Sequence, residues 1–284
     1  MWSSYHIFCH HKSVHEEIIH KIYRFMMEYK QKKWFFIRYW EGGPHIRFRV
    51  KNIENESLFF QKLSSILSDL LMEESSLTKE EYYRGNKLDG EYIPIEKLSW
   101  YANNTIQKIA YEPEIERYGG HRWIGEAEMI FNKSSIMASE LISEYKGLSY
   151  RLYIFLGMYL RIFNILRKKI NEFDVHMYSK TCSDYWENKY GIKNIGYFQD
   201  VSRRLENSYV NNRVEFDYLM EKSLSISSCQ IYINQLTKII GDISNYTGEK
   251  IGRSVLFSQM HMTANRMGIP IEYEYSIYRM LGVI

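Results

Sequence analysis

The sequence predicts an α+β fold, with a ferredoxin-like split β-α-β sheet in the N-terminal half and a mostly helical C-terminal half. Three observations predict it. Short runs with strand-like alternation are confined to residues 1–120, whereas residues 121–284 read as helices almost throughout. The first half also orders its elements β-α-β-β-α-β. The whole chain of 284 residues is expected to form one domain, with a cleft between its halves as the default place for a ligand.

The strand runs are "SYHIFCH", "KWFFIRYW", "HIRFRVK" and "TIQKIAYE". Between the first two, Ser13 is placed to cap a helix, with Glu16 three residues later completing a capping box. Ile18, Ile19, Ile22, Phe25 and Met26 then recur at helical spacing. "WEGGP" joins the second and third runs as a tight hairpin turn. From Glu56 to Glu73, Leu58, Phe59, Leu63, Ile66, Leu67, Leu70 and Leu71 make one apolar side of a second helix. Beyond residue 120 the expected helices are His121–Phe131, Ser134–Tyr145, Ser149–Asn171, Ser202–Lys222, Ser227–Asn245 and Ser254–Arg266. A break falls near "YGIKNIGYF" and a last helix follows Pro270. Four prolines in the chain suit long helices.

Composition excludes several classes. The net charge is +3 with no long basic run, which is not the balance of a nucleic-acid protein. Cys9, Cys182 and Cys229 are far apart and form no CxxC pair, so neither a disulfide framework nor a zinc site is supported, and a reducing cytoplasm is expected. The N-terminus lacks a signal-peptide layout. Leu148 to Leu166 is the most apolar long stretch, but Arg151 and Arg161 make it a buried helix rather than a membrane span. No GxxxxGK[ST], GxGxxG, GxSxG or HExxH occurs, so no cofactor or metal is expected.

Four constellations carry candidate chemistry. In "GGPHIRFRV", Arg47 and Arg49 fall on one face of a strand, roughly 7 Å apart. Two guanidinium forks so placed can receive a carboxylate or phosphate, or they are ordinary charges on a solvated face. Arg38 on the preceding strand is a candidate third member, and His45 sits at the hairpin. In "YEPEIERYGGHRW", Arg117 precedes a Gly-Gly turn whose N–H groups could approach an anion, unless it is a plain turn into a helix. In "QMHMTANRMGI", His261 and Asn265 share a helix face and Arg266 follows; a histidine in a Met-rich helix is more often a core residue than a catalyst. His6, His10, His11, His15 and His20 crowd the first twenty residues, but without convergent ligand spacing they read as structural or solvated.

Taken in order along the chain, "WFFIRYWEGGPHIRFRV", "YEPEIERYGG" and "HMTANRMGI" resemble the C-terminal elimination domain of class I lanthipeptide dehydratases, a module that also occurs as a stand-alone protein in thiopeptide biosynthesis. The resemblance spans nearly the whole chain. It implies a ribosomally made precursor peptide as substrate, with leader and glutamylated core. A separate partner would esterify Ser or Thr with glutamate taken from glutamyl-tRNA. This module would then expel the glutamate, leaving dehydroalanine or dehydrobutyrine. The family's essential arginine pair falls on Arg47 and Arg49, its arginine before the Gly-Gly turn on Arg117, and its C-terminal histidine on His261. Arg38, His45, Asn265 and Arg266 are expected to bind substrate around them. The chain is expected to be a split version without the glutamylation domain. No direct nucleic-acid contact is implied, and the oligomeric state is left open, a homodimer included.

The chemistry fits these residue types. A peptide Cα–H is a very weak acid, so its removal needs a base and electrostatic help for the developing enolate. A bidentate arginine can orient the glutamyl γ-carboxylate, Arg117 can stabilise the leaving α-carboxylate, and a histidine can move a proton near neutrality. Which group takes the Cα proton is left open by the sequence. Two further readings stand beside elimination. Thiopeptide pyridine synthases resemble the same module but join two dehydroalanines in a formal [4+2] cyclisation with loss of the leader, and generally do not keep this arginine and histidine set. A non-catalytic leader-binding subunit is the third.

Overall fold

A computed structural model describes residues 1–70, 75–84, 93–170, 173–191 and 196–282. By internal contact they group into two compact units, Met1–Pro113 with Ala138–Ser143, and Glu114–Met137 with Glu144–Ile284. The described residues are mostly helical, and a small sheet lies in the first unit.

That sheet has four antiparallel strands, β1 (Trp2–Phe8), β2 (Trp34–Tyr39), β3 (His45–Lys51) and β4 (Thr105–Lys108), in the order β2-β3-β1-β4. All four expected runs are strands. Helix α1 (His15–Glu28) follows β1, and α2 (Glu56–Ser68) follows β3. One sheet face carries Tyr5, Trp34, Phe36, Ile46, Phe48 and Val50, all buried. Its rings meet those of the helices: Phe59 of α2 stacks on Tyr5 and Phe48, and Phe25 of α1 packs on Phe59. Each buried ring of this kind contributes about 1.5–3 kcal/mol through the apolar surface it removes from water. The register puts Arg47 opposite His6 and Ile37, and Arg49 opposite Ser4 and Phe35, so these residues share the other face.

The hairpin between β2 and β3 depends on its glycines. Gly42 and Gly43 have φ of +91° and +105°, where a side chain is strained, and a Cβ on Gly42 would lie 2.9 Å from the Tyr101 ring. The Gly42 N–H donates to Tyr83 Oη at 2.8 Å, tying the turn to the short helix α3 (Lys79–Tyr83).

The start of α1 differs from expectation. Lys12–Val14 form a 3₁₀ turn, Val14 occupies the N-cap position, and no side chain caps the helix, so the Ser13–Glu16 capping box is absent. At α2 the cap is Asn55, whose side chain accepts from the Leu58 N–H at 3.0 Å. Leu58 itself is exposed, while Phe59, Leu63, Ile66 and Leu67 form the buried side. The expected last turn of α2, residues 71–73, lies outside the described residues.

The second unit is helical: α4 (Ile124–Glu144, of which residues 138–143 group with the first unit), α5 (Leu148–Lys169), α6 (Val175–Tyr190), α7 (Gly196–Asn211), α8 (Arg213–Ser225), α9 (Ser227–Thr247), α10 (Glu249–Met267) and α11 (Ile271–Leu281). Two expected helices are one in α4. The helix runs on through Asn132–Ser134, where the Ser134 hydroxyl donates back to the Ile130 and Phe131 carbonyls instead of capping a new helix. Conversely, one expected helix is two, since α7 ends at Asn211 and α8 starts beyond Asn212. Helix α6 was not anticipated. Asp174 caps it by accepting from the Met177 N–H, and Gly191 ends it at φ +64°. The expected break at residues 190–198 lies partly outside the described residues. Among those residues no helix is long and apolar enough to cross a membrane.

Candidate functional site

In the first unit the arginine face is built on aromatic rings. The Arg47 guanidinium lies 3.3 Å from the centroid of Tyr39, a cation–π contact. Its Nε donates to His45 Nε2 at 3.3 Å, and one terminal nitrogen lies 3.9 Å from Glu41. His45 is wholly buried, and its Nδ1 is 2.8 Å from the Gly43 carbonyl, which can only accept. The hydrogen-bond network therefore assigns the proton to Nδ1 and leaves Nε2 as the acceptor for Arg47. Burial first, with Arg47 adding to it, pushes the His45 pKa down to about 3. His6 stacks on His45 at 5.0 Å and is pushed down to about 2, by burial and then by Arg47. Two neutral imidazoles thus border the guanidinium without adding like charge.

Arg49 is more enclosed, at 6% exposed, and its guanidinium lies 4.8 Å from Tyr111 and 5.5 Å from Phe35. Around both arginines, rings replace water. A carboxylate meeting a guanidinium fork there is bound more strongly than in bulk solvent, because less water screens the pair. Arg38 does not join them. It pairs in register with Ile46, so it lies on the opposite face, where it sits 4.0 Å from Glu16 of α1. His45 is a support for Arg47 rather than an exposed binding group.

In the second unit Arg117 belongs to the 3₁₀ turn Glu116–Tyr118. The Gly119 and Gly120 N–H groups donate within the turn, to the Glu116 and Ile115 carbonyls, so the Gly-Gly pair is a turn into α4 and not an anion cradle. Arg117 Nε donates to Ser258 Oγ of α10 at 3.3 Å, and Nη1 contacts Glu114 at 3.0 Å. The Glu114 side chain is 57% exposed. Such a solvated pair is worth about 0–1 kcal/mol, so another carboxylate could displace Glu114 at little cost.

His261 lies three residues beyond Ser258, hence one helical turn away on the same face of α10. The structure thereby brings Arg117 and His261 to one stretch of one helix. His261 Nδ1 is 2.8 Å from Glu274 Oε2, and the imidazole packs against Trp186 with ring centroids 5.0 Å apart. The chain returns for this contact because Gly268 ends α10 at φ +73° and Pro270 precedes α11, whose first turn holds Glu274. Glu274 is 0% exposed. Asn265 sits one turn on from His261 and is half-buried. Arg266 does not face the site. Five residues on, it points about 140° around the helix. There it is 1% exposed, donating to Ser135 at 3.1 Å beside the Phe131 ring. It is a core arginine.

Sequence reasoning missed Glu274, Ser258 and Trp186. A glutamate in "IEYEY" carries no local mark of burial, and Trp186 stands on the unanticipated α6. The N-terminal histidines bond separately: His10 to the Tyr101 carbonyl, His15 to the Cys9 carbonyl and His20 to Ser143.

The helical unit thus backs a histidine with a buried carboxylate, and the sheet of the other unit carries an arginine pair. The lantibiotic biosynthesis dehydratase C-terminal family model matches residues 2–283, and the chain belongs to that family. Three solved structures share the fold. The pyridine synthase TbtD from thiomuracin biosynthesis is 14% identical with a TM-score of 0.66, over 99% of this chain and 96% of its own. TsrL is 13% identical with a TM-score of 0.64, over 100% and 93%. The tRNA-dependent lantibiotic dehydratase MibB from Microbispora sp. 107891 is 18% identical with a TM-score of 0.56; 99% of this chain is covered, but only 27% of MibB. No curated protein sequence matches the chain.

Proposed function

We propose that this protein eliminates glutamate from glutamylated Ser or Thr of a ribosomal precursor peptide, giving dehydroalanine or dehydrobutyrine as a carbon–oxygen lyase. The observation that carries the reading is that Arg117 donates to Ser258 of α10 one helical turn before His261, which Glu274 backs. A proton acceptor beside a cation able to hold a carboxylate is what an elimination that expels a carboxylate requires. On the sheet of the first unit, Arg47 and Arg49 offer guanidinium forks able to hold a carboxylate of the peptide substrate. A separate glutamylation protein, using glutamyl-tRNA, supplies the substrate. The strand order β2-β3-β1-β4, with a helix after β1 and another after β3, supports the ferredoxin-like reading of the sheet.

A second reading is favoured by the end-to-end likeness to TbtD: formal [4+2] cyclisation of two dehydroalanines with loss of the leader. One pair of incubations separates the two, each followed by mass spectrometry. Elimination predicts that a glutamylated model peptide loses glutamate to give a dehydrated product, while a dehydrated linear peptide is returned unchanged. An unchanged glutamyl peptide, together with release of leader from the dehydrated one, would replace the first reading by the second.

A further inference from the structure

We propose that Glu274 is a positioning residue that holds His261 in its Nδ1–H tautomer and so makes Nε2 the atom that takes the substrate Cα proton. The inference rests on the elimination reading and assigns the one role that the residue types leave open.

Glu274 is fully buried, and its Oε1 has no hydrogen-bond partner among the described residues, so its one hydrogen bond there is Oε2 to His261 Nδ1 at 2.8 Å. A carboxylate accepts and does not donate, which places the ring proton on Nδ1. Taking a carboxylate out of water is costly unless a donor meets it, so the site is most stable with that N–H directed at Oε2. The lone pair is then on Nε2, on the opposite side of the ring. The ring cannot swing freely, because Trp186 packs against it and Trp186 is itself buried.

Neutral Nε2 takes the Cα proton, and the C–H electron pair forms the Cα=Cβ bond. The Cβ–O bond breaks, and its pair leaves on the glutamate α-carboxylate, held by Arg117. The products are the dehydro residue, glutamate and an imidazolium facing Glu274. The carboxylate therefore serves twice, fixing the tautomer before proton transfer and facing the positive charge after it. No oxidant, metal or further reactant enters.

The test combines Glu274→Gln and His261→Ala, singly and together, with ¹⁵N spectra of the His261 ring. Glutamine matches the carboxylate in shape but can turn its NH₂ toward Nδ1 and move the ring proton to Nε2. The wild-type spectrum should show Nδ1 protonated, and Glu274→Gln should lose that single tautomer. Glutamate release should fall on the order of 10²-fold or more in kcat, within the range by which general acid–base groups act, with KM little changed. In the His261→Ala background the second substitution should cost nothing further, because the residue it positions is gone. A wild-type ring protonated at Nε2, or an undiminished loss from Glu274→Gln in that background, would overturn the proposal; the latter marks a merely structural role. Unfolding midpoints identify a Glu274→Gln protein that fails to fold, and then Glu274→Asp, which pulls the carboxylate back by one methylene, takes its place in the cycle. If the wild-type protein expels no glutamate at all, the elimination reading falls with it, and the ring spectrum alone still decides whether Glu274 sets the tautomer.

Discussion

Acidifying from about pH 7 to about pH 4.5 should remove about 5 kcal/mol of stability from the first unit, through His6 and His45. An unfolded histidine titrates near 6.5. In the folded chain, burial pushes His45 down to about 3 and His6 to about 2. Between the unfolded and folded values the unfolded chain binds one more proton per histidine, so stability rises with pH there. The contribution is fully present above about pH 6.5 and is lost as pH falls toward the folded values. Within that window the slope depends on proton number and not on the depth of the shift: about 1.4 kcal/mol per pH unit for each histidine. His15, pushed down to about 4 chiefly by burial, acts in the same direction. The loss is comparable with the whole stability of many domains, about 5–15 kcal/mol. Urea unfolding of the wild type and His45→Asn between these pH values reads it. Asparagine keeps a donor near Nδ1 for the Gly43 carbonyl but cannot titrate, so the slope should fall by about 1.4 kcal/mol per pH unit, whatever the absolute stability. A flat wild-type curve, or the same slope in His45→Asn, would refute the argument that these imidazoles are held neutral. The result also bears on activity, since an acidic limb in a rate profile will contain this unfolding.

Two further outcomes follow from the arginines. Arg49→Lys should reduce kcat/KM for glutamate release roughly 10²-fold or more, nearly as much as Arg49→Ala, because lysine keeps the charge but not the paired donors of the fork; near wild-type turnover would leave only a general charge effect. Arg266→Lys should lower the unfolding free energy by on the order of 1–3 kcal/mol through the bond to Ser135, yet leave kcat/KM per folded molecule unchanged. Loss of turnover without loss of stability would return Arg266 to the binding residues.

Much of the first unit was legible because strands declare themselves by alternation, and four short runs did so between turns rich in Gly, Pro or Asn. Which face each residue takes was less so. Trp34, Phe36 and Arg38 share a parity, but β2 can be related to β3 only through the length of the turn, and one residue more or less would reverse the faces. That is why Arg38 read as a neighbour of Arg47 when it lies on the other side. Helix α6 escaped because its buried side is Tyr178, Ser179, Cys182, Ser183 and Trp186, too polar and mixed to make an apolar stripe. Ser13 and Glu16 had the spacing of a capping box, yet the backbone there winds as a 3₁₀ turn before α1, and spacing alone cannot exclude that. Of the candidate residues, Arg47, Arg49, Arg117 and His261 were visible as residue types in motifs. Glu274 was not, because an acidic side chain in sequence is expected in water, and only the fold shows that it is enclosed.

That hidden carboxylate, with the arginines, bears on the choice between the two enzymatic readings. Cyclisation of two dehydroalanines releases no carboxylate, so it gives no task to the aromatic-lined guanidinium groups of Arg47 and Arg49 or to a cation held by a pair as weak as Arg117–Glu114. The proposed elimination of a glutamyl ester involves a γ-carboxylate, an α-carboxylate that gains its full charge only as the Cβ–O bond breaks, and a proton that must be taken at the same moment. An arginine whose existing partner is solvent-exposed can change partner at little cost, which suits a leaving group bound more tightly as it departs than before it. The shared fold accounts for the likeness to TbtD, and it is the charges on these particular side chains that favour the elimination proposed here.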